Sequence, residues 1–193
     1  MTSTQPEPRL PPLTAPFAAD VAGQLEQMMP PGVPPIALFR QVAHNPRVLD
    51  RWRGGALLDK GSISLRQREI VILRVTARLG AEYEWGVHVA FFAAKAGFTA
   101  AELTATYQGG AADFAAADEA LLLRMVDMLI GQKRLDDALW HEASAVFSPA
   151  QIVEILALAG FYHTVSFTVN TLRTPLEPGA PRFPQTAEVS GPQ

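Results

Sequence analysis

Three ionisable side chains, Glu69, Glu84 and His88, stand at spacings suited to acid–base chemistry. Glu84 and His88 are four residues apart, so on a helix they lie on one face, a single turn from each other. Glu69 falls about 40° from Leu65 around a helix that begins at Leu65, inside its apolar face. A buried carboxylate needs a partner, because an unpaired buried charge is costly. An imidazole between two carboxylates in contrasting surroundings is an arrangement that moves protons.

The elements that carry these residues are predicted from the placement of proline. None of the 16 prolines falls between Arg47 and Ser148. Because proline costs roughly 3 kcal/mol inside a helix, this stretch favours consecutive helices. Capping-box patterns begin at Ser64, Thr99 and Ser148. No segment alternates as a strand would, so the predicted fold class is all-α.

The predicted domain organisation is a single helical domain at 17–173 between Pro-rich extended tails at 1–16 and 174–193. The tails are compatible with disorder or with packing along a neighbouring subunit. Capping residues and glycines predict helices near Phe17–Met29, Pro35–His44, Arg47–Lys60, Leu65–Leu79, Glu82–Ala96, Ala100–Tyr107, Ala115–Ile130, Asp137–Phe147 and Pro149–Leu172.

A short turn at Gly80-Ala81 makes two of these helices an antiparallel pair. Glu69 lies about 11 residues before the turn and His88 about 8 after it, so at 1.5 Å per residue their levels differ by roughly 5 to 6 Å. Side chains or one water can bridge that distance. The alternative for Glu69 is a structural ion pair with an arginine, and the alternative for Glu84 and His88 is a solvated stripe.

Composition excludes several classes of function. Without cysteine there is no disulfide, no thiolate metal site and no cysteine nucleophile. A net charge of −3 with a pI near 5.8 lacks the basic footprint of a protein that binds nucleic acid or an anionic membrane. The first residues resemble no secretory signal, and no run of about 18 uninterrupted apolar residues occurs, so a cytoplasmic location is expected.

Three segments resemble the carboxymuconolactone decarboxylase family, within the alkylhydroperoxidase D-like superfamily: REIVILR at 68–74, AEYEWGVH at 81–88 and AKAGFT at 94–99. The peroxidase branch carries C-x-x-C-x-x-x-H, and here Ala81 and Glu84 stand at the cysteine positions, which excludes thiol peroxidase activity. The resemblance implies a cofactor-free, all-helical lyase that forms a homo-oligomer, a trimer or hexamer, with its site near a subunit contact.

The resulting hypothesis is acid–base catalysis without metal or organic cofactor on a small carboxylate or carbonyl compound, in the manner of a decarboxylase. His88 is predicted to be the proton shuttle, Glu84 the group that orients and charges it, and Glu69 a buried relay acid. Substrate-binding positions are predicted at Tyr83, Trp85 and His163. His163 has an alternative as a hydrogen-bonded group of the last helix, which also carries Ser166 and Asn170 on the same face.

Two other functions stay open at this point. The same Glu/Glu/His set has the donor types of a divalent-metal site, which would make the protein a metal-dependent enzyme. A non-catalytic oligomer that binds a small ligand is the second, because fold does not fix function. The residues that would hold a substrate carboxylate are also open, with four candidates: Arg66, Arg74, Arg78 and Lys95.

Overall fold

The computed structural model describes residues 7–184, and every regular element within them is helical, which confirms the all-α prediction. The outer parts of the predicted tails, 1–6 and 185–193, lie outside the described residues. The α-helices are α1 Ala19–Met28, α2 Ala37–Val42, α3 Pro46–Gly55, α4 Leu65–Arg78, α5 Glu82–His88, α6 Ala100–Tyr107, α7 Ala117–Gln132, α8 Asp137–Val146 and α9 Pro149–Leu172. A 3₁₀ turn at Ala111–Asp113 precedes α7.

Helix α4 is the centre of the bundle. Ser64 caps its first turn by accepting a hydrogen bond from the backbone N–H of Gln67, while the Gln67 side chain accepts from the backbone of Ser64. Every residue from Arg68 to Ala77 is buried, because α5, α6, α7 and α9 all pack against this helix. A helix enclosed on all sides holds its few polar side chains in fixed positions, and Glu69 is one of them.

Helix α9 is the longest element and has two different faces. One face packs on α4 and α5 through buried residues such as Ile155, Leu158 and Val165. The other leaves large apolar side chains exposed, among them Val153 and Phe167. By length and composition alone α9 is long and apolar enough to cross a membrane. Its packing in the bundle is that of a core helix with one uncovered side.

The helix predicted at Glu82–Ala96 is interrupted. Helix α5 ends at His88, and Val89–Ala93 form a π-helical turn. The wider turn inserts extra backbone and changes which side chains follow His88 on its face. The ring of Phe92 lies beside the imidazole, with 5.3 Å between centroids, and Phe91 packs against Phe92. π-helical turns of this kind recur at functional sites.

The described part of the N-terminal tail lies along its own chain. The backbone N–H of Arg9 donates to the carbonyl of Leu172 at 2.9 Å. The buried amide of Gln41 donates to the carbonyl of Leu10 at 2.6 Å. These bonds hold the tail across α2 and the end of α9, so in this region it packs within the protomer.

The C-terminal segment is also held by its own chain. The carboxylate of Glu177 accepts hydrogen bonds from the hydroxyl of Tyr83 at 2.7 Å and from the backbone N–H of Ala37 at 2.5 Å. Further along, the ring of Phe183 stacks on Tyr107 with 4.2 Å between centroids. The segment therefore crosses α5 on the side opposite to His88.

Gly86 allows this crossing, because a Cβ there would lie 2.2 Å from the carbonyl oxygen of Pro181. We expect Gly86→Ala to lower the free energy of unfolding by about 1–3 kcal/mol, since the segment must move away. Denaturant unfolding measures the change. In the control Gly23→Ala, the new methyl meets nothing within 4 Å and stability should be unchanged or slightly raised. Equal stability of the two variants would show that the segment is not tightly packed on α5.

Candidate functional site

The three residues singled out by their spacing meet in the structure. The Nδ1 atom of His88 lies 2.8 Å from Oε2 of Glu69. Its Nε2 atom lies 3.4 Å from Oε1 of Glu84. All three are enclosed, with exposed fractions of 3% for His88, 1% for Glu69 and 6% for Glu84. The imidazole is thus held between two carboxylates, one from α4 and one from its own helix.

Arg68 completes the charge balance of this group. Its Nε and Nη2 atoms approach Oε1 of Glu69 at 2.9 and 2.8 Å, and its Nη1 donates to the carbonyl of Leu58 at 2.7 Å. The guanidinium also lies 4.9 Å from the centre of the Phe92 ring. Glu69 therefore forms both the ion pair with an arginine, which was the alternative interpretation, and the bond to His88. Glu69 has both oxygens occupied.

The surroundings of His88 favour the positively charged form of its ring. Burial alone would lower its pKa, but the negative charge of Glu69 and hydrogen bonds to Glu69 and Glu84 outweigh that effect and raise the pKa to about 9. In this charged form both ring nitrogens are hydrogen-bond donors, one towards each carboxylate.

A cavity of about 240 Å³ opens beside His88 and Glu84. Its walls come from the end of α1, the following loop, α2, α3, α5, the π-helical turn and α9. The polar side chains that contribute are Glu84, His88 and Lys95, with Tyr162 next to them. The aromatic residues that line it are Phe39, Trp52, Phe91, Phe92, Phe161 and Tyr162. It is an apolar chamber with its polar groups gathered at one wall.

Glu84 is the under-satisfied member of the group. Its Oε1 faces His88, but its Oε2 is buried and has no hydrogen-bond partner among the described residues. A carboxylate accepts several hydrogen bonds, so this one has unused capacity at the wall of the cavity. Glu69 differs, because it does not line the cavity and its oxygens are taken by Arg68 and His88.

Tyr162 lines the cavity next to His88. Its ring packs edge-on to His88 with 5.0 Å between centroids, and the residue is 1% exposed. Burial and the charges of Glu84 and Glu69 raise the pKa of its hydroxyl well above 10, so it stays a neutral phenol. Sequence analysis passed over Tyr162 because it lies on the apolar face of α9, one turn from Leu158 and Val165, where an aromatic is ordinary core.

The three predicted substrate-binding residues do not line the cavity, and each makes other contacts. Tyr83 accepts from the backbone N–H of Leu38 and donates to Glu177. Trp85 donates from its indole N–H to the hydroxyl of Thr106 at 3.0 Å. Neighbours on a helix differ by about 100°, so the residues on either side of Glu84 point away when Glu84 points inward.

His163 likewise lies outside this cavity. Its ring packs against Phe167 at 4.5 Å between centroids, on the partly exposed side of α9. Burial and the charge of Lys133 lower its pKa. Its neighbour Tyr162 occupies the wall on which His163 was expected, one residue and about 100° away on the helix.

The group does not fit a single metal ion in this arrangement. Glu69 and Glu84 bind opposite nitrogens of the His88 ring, so their oxygens do not converge on one point. Within residues 7–184 no cluster of three His, Asp or Glu side chains has the geometry of a metal site. A proton, which travels along hydrogen bonds, suits the arrangement better than an ion that requires convergent ligands.

The basic residues considered as carboxylate binders are mostly engaged elsewhere. Arg74 forms two hydrogen bonds of 2.7 Å with Asp127, and Arg78 approaches the same carboxylate at 3.3 Å. Arg66 is bound by two glutamates. Lys95 differs, since it is exposed, lines the cavity and forms no ion pair within the described part of the chain. The one unengaged cation at the site therefore stands at its rim.

Comparison with known proteins agrees with this picture of the fold. Residues 44–127, which include all of α4 and α5, match the carboxymuconolactone decarboxylase family. Over these residues the chain is similar to that family. The Glu69, Glu84 and His88 group lies inside this stretch. The resemblance found in three short segments is thereby confirmed over a longer stretch.

Solved structures share the helical fold of this chain. An uncharacterized peroxidase-related protein from Silicibacter sp. TM1040 is similar with a TM-score of 0.77 and 14% identity, over 94% of this chain and 100% of that one. The apo debrominase Bmp8 is similar with a TM-score of 0.70 and 16% identity, over 88% and 92%. No curated protein matches in sequence. At these identities the likeness establishes the alkylhydroperoxidase D-like fold.

Proposed function

We propose that the protein is a cofactor-independent acid–base enzyme that protonates or deprotonates a carbon next to a carbonyl in a small molecule, as a decarboxylase-like lyase or a related enzyme. The observation that carries this proposal is the buried ring of His88, which bonds to Glu69 and lies next to Glu84 at the cavity. The family assignment supports an enzyme that acts on small molecules.

The geometry suggests roles for the two carboxylates that differ from the initial hypothesis. Glu69 touches only Nδ1 of His88 and Arg68, so it is a positioning residue that orients the ring and keeps it charged. Glu84 lines the cavity and can exchange a proton with a bound compound. Protons are thus exchanged among the bound compound, His88 and Glu84, while Glu69 holds the His88 ring in place.

The proposed step is an exchange of two protons. Glu84 takes the O–H proton of an enol while the His88 imidazolium gives a proton to the enol carbon, which leaves a ketone, a neutral imidazole and a protonated Glu84. Transfer of that proton from Glu84 to Nε2 of His88, across the 3.4 Å between them, restores the starting state. After loss of carbon dioxide from a β-keto acid, the same protonation completes a decarboxylation.

Exchange at carbon tests this proposal. In deuterium oxide, the protein should catalyse incorporation of deuterium next to the carbonyl of cyclohexanone, which NMR follows directly. Absence of exchange, with binding of cyclohexanone intact, would make the protein a small-ligand-binding module instead of an enzyme.

Self-association is a second part of the proposal, because the resemblance implies a homo-oligomer. The exposed apolar face of α9, which includes Val153, Leu156 and Phe167, is the surface that we propose to be covered by a second copy. Size-exclusion chromatography with light scattering should show a trimer or hexamer. Phe167→Glu should reduce the assembly to smaller species, whereas Trp140→Glu, an equally exposed aromatic on α8, should not. A monomeric parent protein would contradict this.

A further inference from the structure

The geometry points to a substrate class for this cavity: we infer that it binds a neutral, single-ring compound carrying an O–H or N–H group, and that Glu84 accepts the hydrogen bond from that group. That such a ligand is a substrate rests on the proposed function. That it binds rests on the shape and lining of the cavity, so binding can be tested separately from turnover.

Size and lining limit the ligand to about one ring. A dry cavity of about 150 Å³ holds benzene, so about 240 Å³ leaves room for one substituted ring. Aromatic side chains supply much of the wall, including Trp52 from α3 and Phe161 from α9. Flat apolar rings gain contact area and edge or face interactions in such surroundings. A long or strongly hydrated compound would leave these contacts unused.

Charge at the inner wall disfavours an anion. The negative charges of Glu69 and Glu84 are matched by Arg68 and the imidazolium of His88. A carboxylate placed in the cavity would approach the side chain of Glu84, which lines it, and like charges at short range in a sheltered site repel strongly. The unengaged cation, Lys95, stands at the rim with its Nζ 5.9 Å from the centre of the Phe92 ring. A neutral ligand avoids the repulsion.

The unpartnered oxygen of Glu84 indicates that the ring of the ligand carries a hydrogen-bond donor. Its Oε2 is buried and lacks a partner among the residues described, although the side chain lines the cavity. A buried acceptor without a hydrogen bond costs free energy, and this cost is larger for a charged group. A ligand O–H or N–H removes that cost through a charge-assisted hydrogen bond. An enol, the species required by the proposed step, carries such a donor, and phenol is its stable analogue.

The experiment compares phenol, toluene and benzoate by NMR titration of the full-length protein. Phenol and toluene have nearly the same shape and differ in the donor, whereas benzoate carries a negative charge. We expect phenol to bind at least tenfold more tightly than benzoate. Glu84→Met removes the hydrogen-bond acceptor and fills a similar volume. It should weaken the binding of phenol at least tenfold relative to the binding of toluene. If the Glu84→Met protein does not fold, Glu84→Gln, which keeps the shape of the side chain, is tested in its place.

The matched control is Glu82→Gln, two residues away on the same helix. Glu82 accepts from the backbone N–H of Phe183 and lies outside the cavity, so the ratio of phenol to toluene affinity should not change. Tightest binding of benzoate, lost in Lys95→Met, would overturn the inference in favour of an anion site. An unchanged ratio in Glu84→Met would also overturn it. Neither outcome depends on deuterium exchange, which tests the enzyme separately.

Discussion

Replacing His88 with glutamine should slow deuterium exchange into cyclohexanone by about 100-fold to 10,000-fold, the range that a positioned proton donor contributes. Glutamine fills a similar space and can still hydrogen-bond, but it cannot carry a proton between two sites. In the structure the ring nitrogens link Glu69 to the cavity beside Glu84. Removing the ring breaks the only protein path that joins the two carboxylates in the described residues. NMR rates at matched protein concentration measure the loss.

The outcome is interpretable through two companion variants. His141→Gln changes an exposed histidine on α8 and should keep the parent rate. Glu69→Gln should retain binding of cyclohexanone but lower the exchange rate and shift its alkaline limit downward, because the charge that holds the His88 pKa near 9 is gone. Full exchange by a folded His88→Gln protein would remove His88 from the mechanism. Equal KM with reduced kcat would support the positioning role of Glu69.

The fold and the central group of the site could be predicted from the sequence because their signals are local. Capping boxes at Ser64, Thr99 and Ser148 begin α4, α6 and α9 where predicted. The four-residue spacing of Glu84 and His88 places them on one helical face, whatever surrounds that helix. A glutamate in the apolar face of α4 requires a buried partner, and the short turn brings His88 within reach.

The cavity could not be predicted in the same way, because distant segments build it. Met28 and Ile36, around the first loop, meet Phe161 and Tyr162 from the last helix. Such contacts depend on tertiary packing, for which one sequence has no periodic signal. The π-helical turn at Val89–Ala93 was also missed, since its residues have ordinary helical character. Tyr83 and Trp85 were placed at the mouth because they are aromatic and adjacent to Glu84, but helix phase turns them away.

The buried charged group and the apolar cavity beside it act together in the proposed site. A charged group of four residues is stable in the interior because each charge has a partner, and within this group the Oε2 atom of Glu84 has no hydrogen-bond partner among the described residues. An apolar chamber beside that acceptor selects compounds that are mostly hydrocarbon with one polar hydrogen. Binding and proton transfer therefore use the same carboxylate.

Stability should fall as pH rises through about 9, and His88 should be a principal cause. In the unfolded chain the pKa of His88 is about 6.5, and in the folded protein it is about 9. A raised folded pKa contributes stability that is fully present below about pH 6.5 and is lost as the group deprotonates near pH 9. The shift corresponds to a contribution on the order of 3 kcal/mol. Thermal melts at fixed ionic strength across that range measure the loss as a fall in Tm.

The comparison that isolates His88 is the pH dependence of His88→Gln, which should be markedly flatter over the same interval even if its Tm at neutral pH is lower. Measurements should stop below pH 10, because the hydroxyl of Tyr162 has a raised pKa and its ionisation in the unfolded chain destabilises the native state above that point. A His88→Gln protein that loses stability as steeply as the parent between about pH 6.5 and 9 would mean that His88 is not held as an imidazolium. The proton donor of the proposed step would then have to be another group at the cavity wall, and Tyr162, whose ring packs on His88, carries a neutral hydroxyl there.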